Sequence, residues 1–190
     1  MENRNITFPE TITILNGVNV PNVTIDDIQA ILNMRDAWKY LIKTIDEEIN
    51  LKYILKLNEY IAPNESLEWG VLRTGHVGIS GTNYRPAIPD IYIIENELKT
   101  LLDHNITITE KAIVSFLWIA RTQLCWDGNK RTGLVLANKF LIQHGCGILI
   151  IKDSNVLDFS RLLTKFYDTN DESAIKKFLY ENAIFGIDKA

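Results

Sequence analysis

The chain has 190 residues, 46% of them hydrophobic, and a formal net charge of −4, enough apolar content for one domain with a sizeable core. The acidic balance and the absence of a basic tail exclude a general nucleic-acid surface, which needs a surplus of Lys and Arg against phosphate. Two cysteines, Cys125 and Cys146, are too few for a disulfide framework or a zinc cluster and suit a reducing compartment.

The first residues, Met1 to Asn5, show no charged segment leading into an apolar run, and no segment reaches membrane-spanning length. The expectation is a cytoplasmic protein with no membrane partner. Residues 6–23 mix Ile, Val and Thr with Gly17 and Pro21, which predicts an extended arm or small hairpin. The expected organisation is thus an N-terminal arm over 1–24 and a single domain over 25–190. Thr24 and Asp27 form a capping box opening a helix to about residue 45, whose apolar face is Ile28, Ile31, Leu32, Ala37, Trp38, Leu41 and Ile45.

A second helical pattern covers 48–61. Gly70 to Arg73 and then Val77 to Pro86 change the period: Val77, Ile79 and Tyr84 alternate around small turn residues, which predicts two short strands of a hairpin. An exposed hairpin edge can pair with an extended segment of another protein, although an ordinary surface hairpin has the same pattern. Helical spacing resumes over 88–103 and 108–125, the latter opened by Thr107 and Glu110 as a capping box. It continues over 129–144, where Gly145 ends the helix, and over 155–167 and 172–183. Gly147 to Ile151 reads as a short buried strand or as the bend between helices. No internal repeat or low-complexity run interrupts the series.

Asp127-Gly128-Asn129-Lys130-Arg131 lies between two of these largely apolar helices. A carboxylate, a tight turn and two cations at a helix start suit phosphate: backbone N–H groups and the helix dipole face the anion, Lys130 and Arg131 add charge, and Asp127 offers an oxygen to a divalent cation. The competing reading is a solvated helix start with Asp127 or Asn129 as its cap. Trp126 either covers a base or packs at the helix end.

The segment from Gln123 to Arg131 resembles the signature of the Fic/Doc (Fido) family, His-Pro-Phe-x-(Asp/Glu)-(Gly/Ala)-Asn-(Gly/Lys)-Arg, and the flap-like stretch from Gly70 to Pro86 extends the likeness over roughly residues 50 to 185. The resemblance implies an all-α Fido-type helical bundle with a small β-hairpin flap. It implies a protein that binds ATP or another nucleotide with Mg²⁺ and transfers AMP, or phosphate as in the Doc branch, to a Ser, Thr or Tyr hydroxyl of a target protein. By position, Gln123 stands for the family's histidine and Asp127 for the metal-binding acid. Gly128, Asn129 and Lys130 stand for the nucleotide-holding turn, and Arg131 for the arginine on the terminal phosphates. The resemblance also places a target protein at the flap residues Val77, Gly78, Ile79 and Ser80, and leaves an antitoxin or self-association open as a further partner.

The departures bear on activity. Glutamine has no useful basicity near neutral pH, so Gln123 orients groups but takes no proton, and losing a positioned base forfeits a factor of roughly 100 to 10,000 in rate. A catalytically silent binding module is the alternative function. Of His76, His104 and His144, only His76 lies near enough to the flap to be considered as a replacement base; His144 suits a helix C-terminus. Leu134 replaces a second arginine of many adenylyl-transferring members, and Lys130 points to the Doc branch. Cys125 reads as core filling. The family's inhibitory pattern, (Ser/Thr)-x-x-x-Glu-(Gly/Asn), finds its nearest match at Thr44 to Glu48, with Ile49 breaking it, and a second at Ser173 to Lys177 has lysine at the glutamate position.

Overall fold

In the computed structural model, which describes residues 6–186, six helices surround a central pair. The five N-terminal residues inspected above for a leader lie outside the described range.

Five of the eight helices begin at a side-chain cap, two of them, at Thr24 and Thr107, as expected. Helix α2 (Ile25–Lys43) has the Thr24 cap, whose hydroxyl accepts from the Asp27 N–H at 3.2 Å and donates to the Asp27 carboxylate at 2.7 Å, satisfying one of the orphan donors of the first turn. Asn50 caps α3 (Leu51–Ile61) and Asp90 caps α4 (Ile91–Asp103). Thr107 caps α5 (Ile108–Thr122), but Glu110 turns away from the expected reciprocal bond to hold Lys176 of a later helix at 2.5 Å. Helices α6 (Asn129–Gln143), α7 (Val156–Thr169) and α8 (Ser173–Ala183) complete the set.

The N-terminal segment departs from expectation. It contains α1 (Phe8–Leu15) instead of an extended arm or hairpin, because Thr7 and Glu10 close a full capping box and Pro9 sits in the first turn, where its missing N–H costs nothing. Ile14 is buried where α1 packs on α2. The mixed β-branched composition was overridden by the cap and by this packing.

Helices α5 and α6 pack along their length and carry the core: Phe116, Leu117, Ile119 and Ala120 meet Val135, Leu136, Ala137 and Leu141, all buried. Their close approach requires Gly133, where a β-carbon would lie 3.0 Å from the Phe116 carbonyl. Helices α2 and α3 cover one side, α7 and α8 the other. Ile148–Leu149 (β1) pairs antiparallel with Ile184–Phe185 (β2), in register Ile148 to Phe185 and Leu149 to Ile184, which makes the 147–151 segment a strand. Asn138, fully buried in α6, docks it by exchanging two hydrogen bonds with the Leu149 backbone, at 2.9 and 3.0 Å.

Lys139 is also fully buried. It donates to the carbonyls of Thr44 and Ile45 at 2.8 and 2.6 Å and lies over the Tyr53 ring, so its charge meets the negative end of α2. Burial pulls its pKa below the ordinary lysine value.

Candidate functional site

The loop between α5 and α6 is built by its own side chains. Gln123 ends α5 in the left-handed region, φ 52°, with its N–H on the Ile119 carbonyl. Asn129, 3% exposed, closes the loop: its Oδ1 accepts from the Cys125 N–H at 2.9 Å, and its Nδ2 donates to the Cys125 carbonyl at 2.8 Å and to Gln123 Oε1 at 3.2 Å. Gln123 Nε2 donates to the Ala120 carbonyl at 2.6 Å. Both ends of the Gln123 amide are therefore engaged within the loop, and the amide offers no base to a substrate hydroxyl. Gly128 is required twice over, by its φ of +74° and by α3, against which a β-carbon would lie 2.9 Å from Ala62 Cβ.

Asn58, fully buried in α3, ties the loop to the flap. Its Nδ2 donates to the Asp127 carbonyl at 2.8 Å and Thr132 Oγ1 at 3.2 Å, while its Oδ1 accepts from the Gly70 N–H at 2.9 Å.

Helix α6 starts at Gly128 with no side-chain cap, so donors of its first turn are left for another acceptor. Asp127 Oδ1 accepts from the Gly128 N–H and stands 3.7 Å from the Arg131 guanidinium. Arg131 is gripped through both terminal nitrogens by Glu65, with Nη1 2.7 Å from Oε1, and also donates to the Ile61 carbonyl at 3.3 Å. Gln123, Asp127, Gly128, Asn129, Lys130 and Arg131 line a cavity of about 900 Å³. Apolar side chains supply much of the remaining lining: Leu15 of α1, Ile31, Met34, Trp38 and Ile42 of α2, and Leu134 of α6.

The flap is drawn differently from the expected hairpin. Residues 71–90 contain a turn at Ser80–Gly81 but no paired strands. The alternation is real: Val77 and Ile79 are half-buried while Gly78 and Ser80 are exposed. A side-chain donor collects carbonyls at the base of this stretch instead. Arg73, 1% exposed, donates to Gly75 at 2.6 Å, Ala87 at 2.5 Å and Pro86 at 3.5 Å, and to Gln123 and Thr122 at 2.6 and 3.4 Å across the α5 end. One guanidinium thus fastens both arms of the flap to the loop. The turn is clipped to α7 by the Thr82 hydroxyl on Asp168, and Tyr84 lies over Arg121 at 4.0 Å.

Burial pushes the Cys125 thiol up to about 12, which leaves it protonated and inert near neutral pH. No imidazole lines the cavity: His76 is exposed beside the flap, and His144 caps the end of α6 through Nδ1 on the Phe140 carbonyl. Trp126 packs against Gly75, where a β-carbon would lie 2.6 Å from its ring.

Residues outside the sequence motif complete the site. Glu47 and Glu48 line a separate cavity with Tyr40 and Tyr53, away from Arg131; the carboxylate on Arg131 is Glu65, in the turn after α3. Thr11 and Leu15, followed by Asn16, have the spacing of the inhibitory pattern with leucine at its glutamate position, and both line the main cavity. That spacing was readable. The roles of Asn58, Glu65 and Arg73 rest on chain segments 50 to 70 residues from the loop, and no local pattern announces them.

Residues 48–141 match the family model described as Fic/DOC family. Among solved structures, the chain superposes on Fic-1 (residues 134–508) of C. elegans with a TM-score of 0.80 at 20% identity, covering 95% of this chain and 56% of that one. A Fic-domain-containing signaling protein from Bacteroides thetaiotaomicron gives 0.73 at 19% identity, over 85% of this chain and 66% of the other. The BepC protein of Bartonella tribocorum, solved with bound AMPPNP, gives 0.54 at 14% identity, over 89% and 96%. The chain spans little more than half the length of that C. elegans chain. A comparison with curated proteins finds no match.

Proposed function

The chain belongs to the Fic/DOC family, and from that premise we propose that it holds the phosphate of a nucleotide at the start of α6 and that hydroxyl-directed transfer of AMP or phosphate is slow because no base serves the site. The carrying observation is the cavity at the α6 N-terminus, which has no side-chain cap and where Lys130 and Arg131 line the same space as the first turn of the helix. AMPPNP bound to BepC supports a nucleotide as ligand.

The residues present fit Mg²⁺ only in part. Asp127 is half-buried beside the cavity with one oxygen on Gly128, and among the described residues no group of three His, Cys, Asp or Glu side chains gathers around it. Asp127 therefore supplies one protein oxygen, and phosphate and water supply the rest, as is usual for this ion. When bound, Mg²⁺ neutralises charge on the phosphate oxygens.

Each protein group then has a role. Phosphate enters by taking Arg131 from Glu65, with the backbone donors of α6 and Lys130 closing on it. Asn129 and Asn58 fix the loop from behind. Gln123 keeps the loop closed and takes no proton. The flap backbone between residues 74 and 83 donates no backbone–backbone hydrogen bond among the described residues, which supports docking of an extended target segment along Val77 to Ser80.

The pinned Gln123 amide favours a silent nucleotide-binding and protein-interaction module over a working transferase. The test is intact mass of the protein and of candidate targets after incubation with Mg²⁺ and nucleotide, for wild type and Gln123→His. A wild-type increment at a rate comparable to the His variant overturns the assignment of a missing base. No nucleotide binding by calorimetry overturns the site.

A further inference from the structure

The cavity behind the phosphate loop has the wrong walls for a polyphosphate. One turn along α6 from Lys130, where further phosphates would need cations, stands Leu134, 8% exposed. It shares the cavity's apolar lining with Leu15, Ile31, Met34 and Trp38. Anionic oxygens laid against hydrocarbon lose hydration without gaining donors, a cost of several kcal/mol per buried charge in general. An apolar or aromatic body gains from the same walls.

Charged side chains share the lining. Among the described residues, Arg35, Lys39, Lys43, Lys130 and Arg131 line the cavity against one lining carboxylate, Asp127. Asp36 holds Arg35 and stands 3.7 Å from Lys39, and Glu65 holds Arg131. The volume of about 900 Å³ far exceeds a phosphate and falls in the range of small-molecule sites. A mainly apolar chamber whose charged lining includes Lys130 and Arg131 of the phosphate loop complements a molecule that is anionic at one end only.

Resting on the phosphate-loop reading above, we infer that the ligand of this site is a phosphate monoester carrying an apolar body, with its single phosphate at the start of α6 and its body against Leu15, Trp38 and Leu134. Additional phosphates bring no affinity. A nucleoside monophosphate, its base on Trp38, and an alkyl or isoprenoid phosphate share this chemistry.

The test is calorimetric titration of the full chain with inorganic phosphate, AMP, ATP, octyl phosphate and uncharged octyl glucoside, with Mg²⁺ present. The expected order has octyl phosphate or AMP binding roughly 100-fold tighter than inorganic phosphate, ATP no tighter than AMP, and octyl glucoside at least about tenfold weaker than octyl phosphate. Which of AMP and octyl phosphate binds tighter identifies the source. Leu15→Glu, at a half-exposed position that tolerates charge, should weaken the preferred monoester at least about tenfold with the helical circular dichroism unchanged. ATP binding tenfold or more above AMP, with octyl phosphate no better than phosphate, overturns the inference and leaves the nucleotide reading standing. Octyl glucoside binding as well as octyl phosphate overturns it too. If Arg131→Ala changes the affinity of no ligand, the phosphate-loop reading itself falls.

Discussion

Replacing Glu65 by Gln should tighten nucleotide binding, because in this structure the carboxylate occupies the guanidinium that phosphate needs. The two side chains are only 17% and 16% exposed and meet through two parallel contacts, so solvent and salt screen them less than a surface pair. A charge-assisted interaction of this kind contributes about 1.5–3 kcal/mol, and 1.4 kcal/mol corresponds to about a tenfold change in affinity. Glutamine keeps one acceptor oxygen for Arg131, so about tenfold is expected for Glu65→Gln and up to about 100-fold for Glu65→Ala. The assay is titration calorimetry with Mg²⁺ and nucleotide, paired with a denaturant melt in which the variant loses on the order of 1 kcal/mol from the broken pair. In an Arg131→Ala background the same substitution should do nothing to binding, since the competition has no object. Unchanged or weaker nucleotide binding in a folded Glu65→Gln protein would refute the view that Glu65 and phosphate share Arg131.

Arg131→Ala alone should weaken nucleotide binding by about 10- to 100-fold in the same titration. Gln123→His should raise self-modification or target modification by roughly 100-fold or more if the loop keeps its shape, read by intact mass; silence with nucleotide still bound leaves the binding module. Arg73→Lys should cost on the order of 3 kcal/mol in a urea melt, because an ammonium cannot span the carbonyls of Gly75, Ala87 and Gln123 together. Lys139 has a folded-state pKa lowered by burial, so between that value and the unfolded one the unfolded chain binds more protons and stability rises with pH. Lys139→Met should remove that rise, measured as the difference between the two proteins' denaturant midpoints on approach to pH 10.5, the ordinary lysine value.

Local physics was legible in the chain. The Thr24 cap, the apolar stripes of α2 and of α5 to α8, and a loop of acid, glycine and two cations at a helix start depend on neighbours within a few residues, and the structure builds those elements within a few positions of their expected bounds. The same reading was misled at α1, where β-branched composition outweighed the Thr7–Glu10 box, and at the flap, where alternation was taken to mean a ladder. An alternating pattern says which side chains turn inward; it does not say whether the backbone groups pair, and here the flap is held by Arg73 at its base instead. Tertiary structure alone decided the site's character. It placed Glu65 on Arg131 across 66 residues of chain, pinned Gln123 between Ala120 and Asn129, and brought Leu15, Trp38 and Leu134 from three helices to one apolar wall. A motif fixes which groups a loop carries, because they are covalent neighbours; the partners that occupy, orient or exclude them arrive only when distant segments pack.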